Sequence, residues 1–472
     1  MNDPTTTAHF KDKVVSMPDT PPIETAAVAA LHRQLPHYAV TPMHSLPTLA
    51  AELGVGHLLL KDESNRFGLP SFKILGASWA VYKALARAVG LPSTGPDAVS
   101  LDALAAAVRA HNDRHNRENG LRPLQILSCT EGNWGRAVAR MARYTGGVSC
   151  RLYVPAFMPQ ATQALLAHEG ADVRVVPGAT YDDCVTLVRA EADRDSSMLL
   201  LMDVGLEDYE DVPQWVVEGY STLLAEADAQ VQQATGGRPA THVVVPVGVG
   251  SIAQAVTAHY KAPHGRGGAV GTGQAMQESI ESAEALANDV DDAAKSPDDH
   301  ADQDTPITSV LTVEADTAAC LRASQAVGRR VTVATADTIM CGLNCGTLSR
   351  NAWPILHAGV DYSVAISDRQ AHVAVQQLLN ADSSVVGASV SAGADAGADA
   401  DGDEPMGGTD QKTSESEAGG AKGVAAGPCG AATLAGLRKI CSEARDVVKV
   451  QQDSVVVLIC TEGAREYAVP FV

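Results

Sequence analysis

The sequence predicts an α/β fold in two domains, with parallel sheets flanked by helices. Two observations carry that reading. The chain has 472 residues, 45% of them hydrophobic and only 4% aromatic, with abundant Ala, Val and Gly. It is long enough to bury two or three cores of closely packed helices and strands. From Leu124 onward, short apolar runs alternate with longer amphipathic ones, the pattern of repeated β-α-β units on a parallel sheet.

The elements follow in order. Residues 1 to 40 form a polar, Pro-rich lead-in, after which Thr41-Pro42-Met43 and Leu46-Pro47 introduce a short helix. His57 to Leu60 reads as a buried strand, and a charged turn with Gly68 and Pro70 follows it. Ser71-Phe72-Lys73 opens a helix that is well patterned from Leu75 to Arg87, and a second helix runs from Leu101 to His115. Strands are expected at Leu124–Cys129, Cys150–Val154, Asp172–Val176 and Ser197–Met202, with helices at Trp134–Tyr144, Gln160–Glu169 and Tyr181–Ala192. A helix from Trp215 to Ala229 leads to strand His242–Pro246 and helix Ile252–Tyr260. Further strands fall at Val310–Glu314 and Ser454–Cys460. Residues 264–306 (Gly-rich, then acidic) and 381–423 (Gly, Ala, Ser and Asp) hold too few large apolar side chains to offset the entropy of ordering. Both are expected to be disordered surface insertions.

Composition excludes several classes of function. The formal net charge of −21 argues against nucleic acid or anionic membranes as partners, since either needs basic patches. The nine cysteines are odd in number and scattered through core-like segments, which suits reduced thiols in the cytoplasm. Cys341 and Cys345 stand close together, but no second pair completes a zinc set, so no metal site is expected. The start of the chain lacks the apolar core of a signal peptide, and no run reaches ~18 apolar residues.

Four stretches carry chemistry. Lys73 stands in the first turn of its helix, where the positive end of the dipole disfavours its charge and would lower its pKa. That suits a lysine that must be a neutral amine to form a Schiff base, although a solvated surface lysine would read the same way. Thr130-Glu131-Gly132-Asn133-Trp134-Gly135 is a strand-to-helix turn whose glycines let a ligand approach the backbone beside the Asn133 amide, or it is an ordinary loop. Gly248-Val249-Gly250-Ser251 follows an apolar strand and opens a helix, a ready anion site or simply a tight turn. It lacks the third glycine of a dinucleotide fingerprint and the Gly-Lys-Ser/Thr of a P-loop. Cys460-Thr461-Glu462-Gly463 ends the last strand, offering small polar side chains to a ligand or forming a simple strand end.

In this order the four stretches resemble the fold-type II pyridoxal 5′-phosphate enzymes of the tryptophan synthase beta-like superfamily. Within it the chain is similar to the diaminopropionate ammonia-lyase family from about Thr41 to Gly463. The most specific stretches are Lys61-Asp62-Glu63-Ser64-x-Arg66-Phe67-Gly68 with Phe72-Lys73, Asp203 with Tyr209-Glu210-x-Val212-Pro213-x-Trp215, and Thr338-Ile339-Met340-x-Gly342-Leu343-x-Cys345-Gly346.

The resemblance implies pyridoxal 5′-phosphate in the cleft between a large domain (1–95 and 211–472) and a small one (96–210), in a homodimer acting on a small amino acid. Lys73 would carry the cofactor as a Schiff base and then act as base at the substrate α-carbon. Asn133 would face the cofactor's 3′-oxygen, the loop from Gly248 to Ser251 its phosphate, and Cys460 or Thr461 its ring nitrogen. Thr130, Glu131, Gly132 and Asn133 would bind the substrate carboxylate, and Asp203 its β-ammonium. The family usually has Asp-Gly-Asn-His-Gly where this chain has Glu131-Gly132-Asn133-Trp134-Gly135, so Glu131 stands where the second acid/base is expected. The implied reaction is α,β-elimination of 2,3-diaminopropionate to pyruvate and ammonia. The rivals are a serine or threonine dehydratase, another β-eliminating or β-replacing lyase, and a non-catalytic homologue that keeps the cofactor.

Overall fold

The computed structural model describes residues 9–10, 16–18, 23–93, 95, 98–118, 122–130, 132–261, 308–387 and 423–470. The large sheet contains β1 (His9–Phe10), β2 (Met43–Ser45), β3 (His57–Asp62), β8 (His242–Pro246), β9 (Ser309–Ala315), β10 (Tyr362–Ile366), β11 (Ser384–Val385) and β12 (Val455–Cys460). Their order is β1-β10-β9-β8-β12-β3-β2-β11. The five strands from β10 to β3 run parallel, and β1, β2 and β11 pair antiparallel at the margins. The last strand of the chain thus lies between β3 and β8. That brings the carboxyl ends of all three together, at Asp62, Pro246 and Cys460, where α/β sheets bind ligands.

The small sheet contains β4 (Gln125–Cys129), β5 (Ser149–Pro155), β6 (Ala171–Val176) and β7 (Met198–Leu200), ordered β6-β5-β4-β7 and entirely parallel. Every strand expected from the sequence is present, within two residues at either end. Their apolar runs are buried on both faces in the middle of the large sheet, as parallel strands covered by helices must be. Among the described residues no helix is long and apolar enough to cross a membrane, and no cluster of His, Cys, Asp and Glu could hold a metal ion.

Three expectations need correction. The polar lead-in contains a helix, Thr25–Arg33, because an Ala-rich run buries Ala27, Val28, Leu31 and His32. The single helix expected over Trp215–Ala229 is two, Asp211–Gly219 and Ser221–Thr235. The first crosses helix Lys73–Val89 so closely that a Cβ on Gly219 would lie 2.4 Å from the Leu75 carbonyl oxygen, and one on Gly76 2.8 Å from that of Val216. Only glycine fits at either point. The supposed insertion 381–423 begins later than expected, since Ala381 is buried and Ser384–Val385 pairs with β2. Residues 388–422, and the whole of the supposed insertion 264–306, lie outside the described residues.

Candidate active site

The approach to Lys73 is fixed by charges turned inward. Arg66 and Leu69 exchange both backbone hydrogen bonds (2.8 and 3.0 Å) across a two-residue turn with φ of +52° at Phe67 and +73° at Gly68. A turn with two left-handed residues requires the glycine. Lys61, Glu63, Arg66 and Glu226, which the sequence presents as a charged turn and a distant helix, are fully buried together. Arg66 contacts Glu63 at 2.6 Å and Glu226 at 2.7 Å, and Lys61 contacts Glu226 at 2.8 Å. Burial alone would raise the Glu226 pKa, but Arg66 and Lys61 hold it well below the usual carboxylate range. Removing one member would leave a buried charge unpaired, which is far costlier than losing the whole set.

That loop delivers Phe72 and Lys73 to the end of β12. The Phe72 amide donates to the Thr461 carbonyl at 3.3 Å, and Ser71 bridges to Glu462. Lys73 is the first residue of its helix, as the sequence predicts. Its ammonium donates to Asp203 Oδ2 at 2.5 Å. Burial and the helix dipole both disfavour the charge, yet the pKa is raised, because the Asp203 carboxylate outweighs them. The depressed pKa inferred from the dipole is therefore wrong for this state. A contact with an acid 130 residues away in sequence decides it.

Asp203 is held from both sides. The Tyr209 hydroxyl donates to the Leu200 carbonyl (2.8 Å) and accepts the Met202 amide (3.0 Å), pinning the backbone that leads into Asp203. On the other side, the Gly205 amide donates to Ser349 Oγ at 2.6 Å.

The Asn133 loop is stitched by Thr130, whose Oγ1 accepts the amides of Gly132 (3.0 Å) and Gly135 (2.9 Å). Asn133 begins the helix that ends at Tyr144, and its amide donates to Glu462 Oε2 at 3.4 Å. Trp134 turns away from Asn133 into the core, where its indole nitrogen donates to Ser128 Oγ at 3.0 Å. The exchange for the family histidine thus changes the core beneath the loop. Glu131 lies outside the described residues.

The glycine loop, Gly248 to Ser251, leads from β8 into helix Ser251–Lys261. A Cβ on Gly248 would lie 2.6 Å from the Gly342 carbonyl oxygen, and Gly250 has φ of +99°. The Val249 carbonyl accepts the Ser349 amide at 2.8 Å. Thr461 and Cys460 are both buried, and the Cys460 thiol donates to the Glu462 carbonyl at 3.5 Å, beside Gly430.

Three residues join the site without having been singled out from the sequence. Glu462 accepts from Asn133, from the Cys429 amide (3.1 Å) and from Arg465 (3.3 Å). Tyr220, whose ring centroid is 4.9 Å from that of Phe72, has a buried hydroxyl that faces Ser251 and Lys73. Burial pushes that hydroxyl up to about 12, against the pull of the Lys73 ammonium. Ser349 touches both the Asp203 loop and the glycine loop. Glu462 follows Cys460-Thr461 directly and was legible as a strand-end carboxylate. The other two have no local signal.

A half-buried lysine at a helix start, an asparagine loop, a glycine cradle at a helix N-terminus and a buried tyrosine hydroxyl beside them fit a phosphorylated aldehyde cofactor. The fold and this arrangement define the fold-type II class of pyridoxal 5′-phosphate enzymes. The chain belongs to the pyridoxal-phosphate-dependent enzyme family, whose model matches residues 34–304 and 294–410. It is 31% identical to diaminopropionate ammonia-lyase of Salmonella typhimurium over 349 residues, 72% of each chain. An L-threonine dehydratase of Corynebacterium glutamicum is 29% identical over 136 residues, 28% of this chain and 29% of that one. In fold it is similar to crystalline diaminopropionate ammonia-lyase from Escherichia coli, in complex with an aminoacrylate-PLP azomethine reaction intermediate. That match has a TM-score of 0.67 and 23% identity, covering 97% of this chain and 94% of the other.

Proposed function

We propose that the chain is a carbon–nitrogen lyase that eliminates the β-amine of 2,3-diaminopropionate and yields pyruvate and ammonia. The observation that carries this reading is the 2.5 Å contact between Lys73 Nζ and Asp203 Oδ2. Asp203 already holds an ammonium group. Once the lysine nitrogen is committed to the cofactor, that carboxylate becomes available to a second ammonium, and the β-amine of the substrate is one. A serine or threonine hydroxyl offers it no charge, and the relative matched over most of this chain bears the diaminopropionate name.

Bound pyridoxal 5′-phosphate supplies the electron sink for negative charge at the α-carbon. Lys73 anchors it and, when released, takes the α-proton. The glycine loop from Gly248 through Val249 and Gly250 to Ser251 donates amides to the phosphate. Asn133, oriented by Glu462, faces the 3′-oxygen, and Cys460 and Thr461 meet the ring nitrogen with groups too weakly basic to keep it protonated. Thr130, Gly132 and Asn133 bind the substrate carboxylate, and Glu131 supplies a second acid/base from the Asn133 loop. We place the cofactor between a large domain (1–95 and 211–472) and a small one (96–210), a division supported by the two separate sheets. The working form is read as a cytoplasmic homodimer.

The test is a panel of L- and D-diaminopropionate, serine and threonine with detection of the 2-oxo acid, run on the unsubstituted enzyme and on Glu131→Gln. Diaminopropionate should give the fastest release of pyruvate. A well-placed general base is worth ~10²–10⁴ in rate, so Glu131→Gln should depress one enantiomer selectively. Faster turnover of threonine would refute the substrate assignment, and equal losses on both enantiomers would refute the role of Glu131.

A further inference from the structure

One residue touches both halves of the site. The Ser349 amide donates to the Val249 carbonyl at 2.8 Å, in the middle of the glycine loop. Its hydroxyl oxygen accepts the Gly205 amide at 2.6 Å, two residues beyond Asp203, and its proton goes to Asn351 Oδ1 at 2.5 Å. The Arg350 amide donates back to the Gly205 carbonyl at 3.0 Å, so both polar groups of that peptide are taken. Gly205 has no room to move inward: a Cβ there would lie 2.4 Å from Asn351 Oδ1 and 2.9 Å from Ser349 Oγ. Ser349 is 1% exposed, so water does not substitute readily for its hydroxyl.

We infer that Ser349 is a positioning residue that sets the Asp203 carboxylate for the β-ammonium of the substrate and ties its placement to the phosphate-holding loop. The inference rests on the roles proposed above for Asp203 and the glycine loop. Its physical content is specific. Removing the hydroxyl frees the Gly205 amide and lets Asp203 drift. The backbone bond to Val249 survives, because any residue at 349 supplies that amide.

The defect should therefore fall on substrates with a β-cation and spare cofactor binding. In the cofactor-loaded enzyme, Ser349→Ala should raise KM for diaminopropionate by roughly tenfold, the scale of one buried hydrogen bond. The dissociation constants of serine and of the cofactor, both read from the visible absorbance, should change less than about twofold, since neither uses the lost bond. Ser349→Thr, which keeps the hydroxyl, should restore KM. Should Ser349→Ala not fold, Ser349→Cys keeps the side-chain shape but replaces the hydroxyl by a weak acceptor, and it should shift KM in the same direction. Equal weakening of diaminopropionate and serine, or a KM unchanged in whichever variant folds, would overturn the inference while leaving the lyase assignment standing. Failure of the unsubstituted enzyme to act on diaminopropionate would remove both.

Discussion

At the scale of single residues, the proposed function turns on one exchange of cations at Asp203. Lys73 must lose its proton before its nitrogen can attack an aldehyde, and the adjacent carboxylate raises its pKa against that loss. Loading with cofactor should therefore quicken as pH rises towards the lysine's elevated pKa. In Asp203→Asn the carboxylate is gone and burial is opposed only by the weaker pull of Tyr220 and Cys345, so the Lys73 pKa falls. The loading profile should then shift to lower pH, while KM for diaminopropionate rises through loss of the β-ammonium partner. Stopped-flow absorbance after adding pyridoxal 5′-phosphate at several pH values would measure this. An unshifted profile would mean that the ion pair does not control the lysine.

At the scale of elements, the packing of helix Lys73–Val89 fixes where Lys73 points. Gly76 and Gly219 let it close on helix Asp211–Gly219, and His32 holds it at Leu75 and Ser78. The imidazole contacts Thr222 Oγ1 at 2.7 Å, Ser78 Oγ at 2.9 Å and the Leu75 carbonyl at 3.1 Å. Burial lowers its pKa from 6.5 to about 3. The sign follows directly. Above pH 6.5 His32 is neutral in both states and adds no pH dependence. Between 6.5 and 3 the unfolded chain takes a proton that the native state refuses, so stability falls as pH falls. At pH 4.5 the expected loss is about 2–3 kcal/mol. His32→Gln should be less stable at pH 7, yet lose less between pH 7 and 4.5, as read from urea denaturation midpoints. Parallel losses in the two proteins would contradict the role given to His32.

The same elements mark what was legible in the sequence. Strands such as His242–Pro246 and helices such as Tyr181–Ala192 follow from apolar runs and periodicity, and their bounds match. Lys73, Asn133 and the glycine loop are local motifs, so their place at strand ends could be read as well. The inward charges of Lys61, Glu63 and Arg66 could not, because their partner Glu226 lies in a helix about 160 residues away. Ser349, Tyr220 and the pairing of Lys73 with Asp203 are equally long-range. Helix Thr25–Arg33 was hidden by the polar composition around it.

At the scale of the molecule, two sheets are joined through the Lys73 helix, which packs on helices Asp211–Gly219 and Asn133–Tyr144 alike. Among the described residues the large sheet is continuous from β1 to β11. Removing about residues 270–300 and 390–420 should therefore leave the visible cofactor spectrum and its titration midpoint unchanged, since the sheets and the core clusters of the described residues are made by other parts of the chain. Loss of folding on deletion would place those segments in the structural core.

The central claim is that Lys73 anchors the cofactor and takes the α-proton, and one substitution tests it most directly. In Lys73→Ala the visible absorbance of the lysine-bound cofactor should disappear, and pyruvate release from diaminopropionate should fall by at least ~10² for loss of the general base alone. Retained absorbance with undiminished turnover would contradict the site and the reaction together.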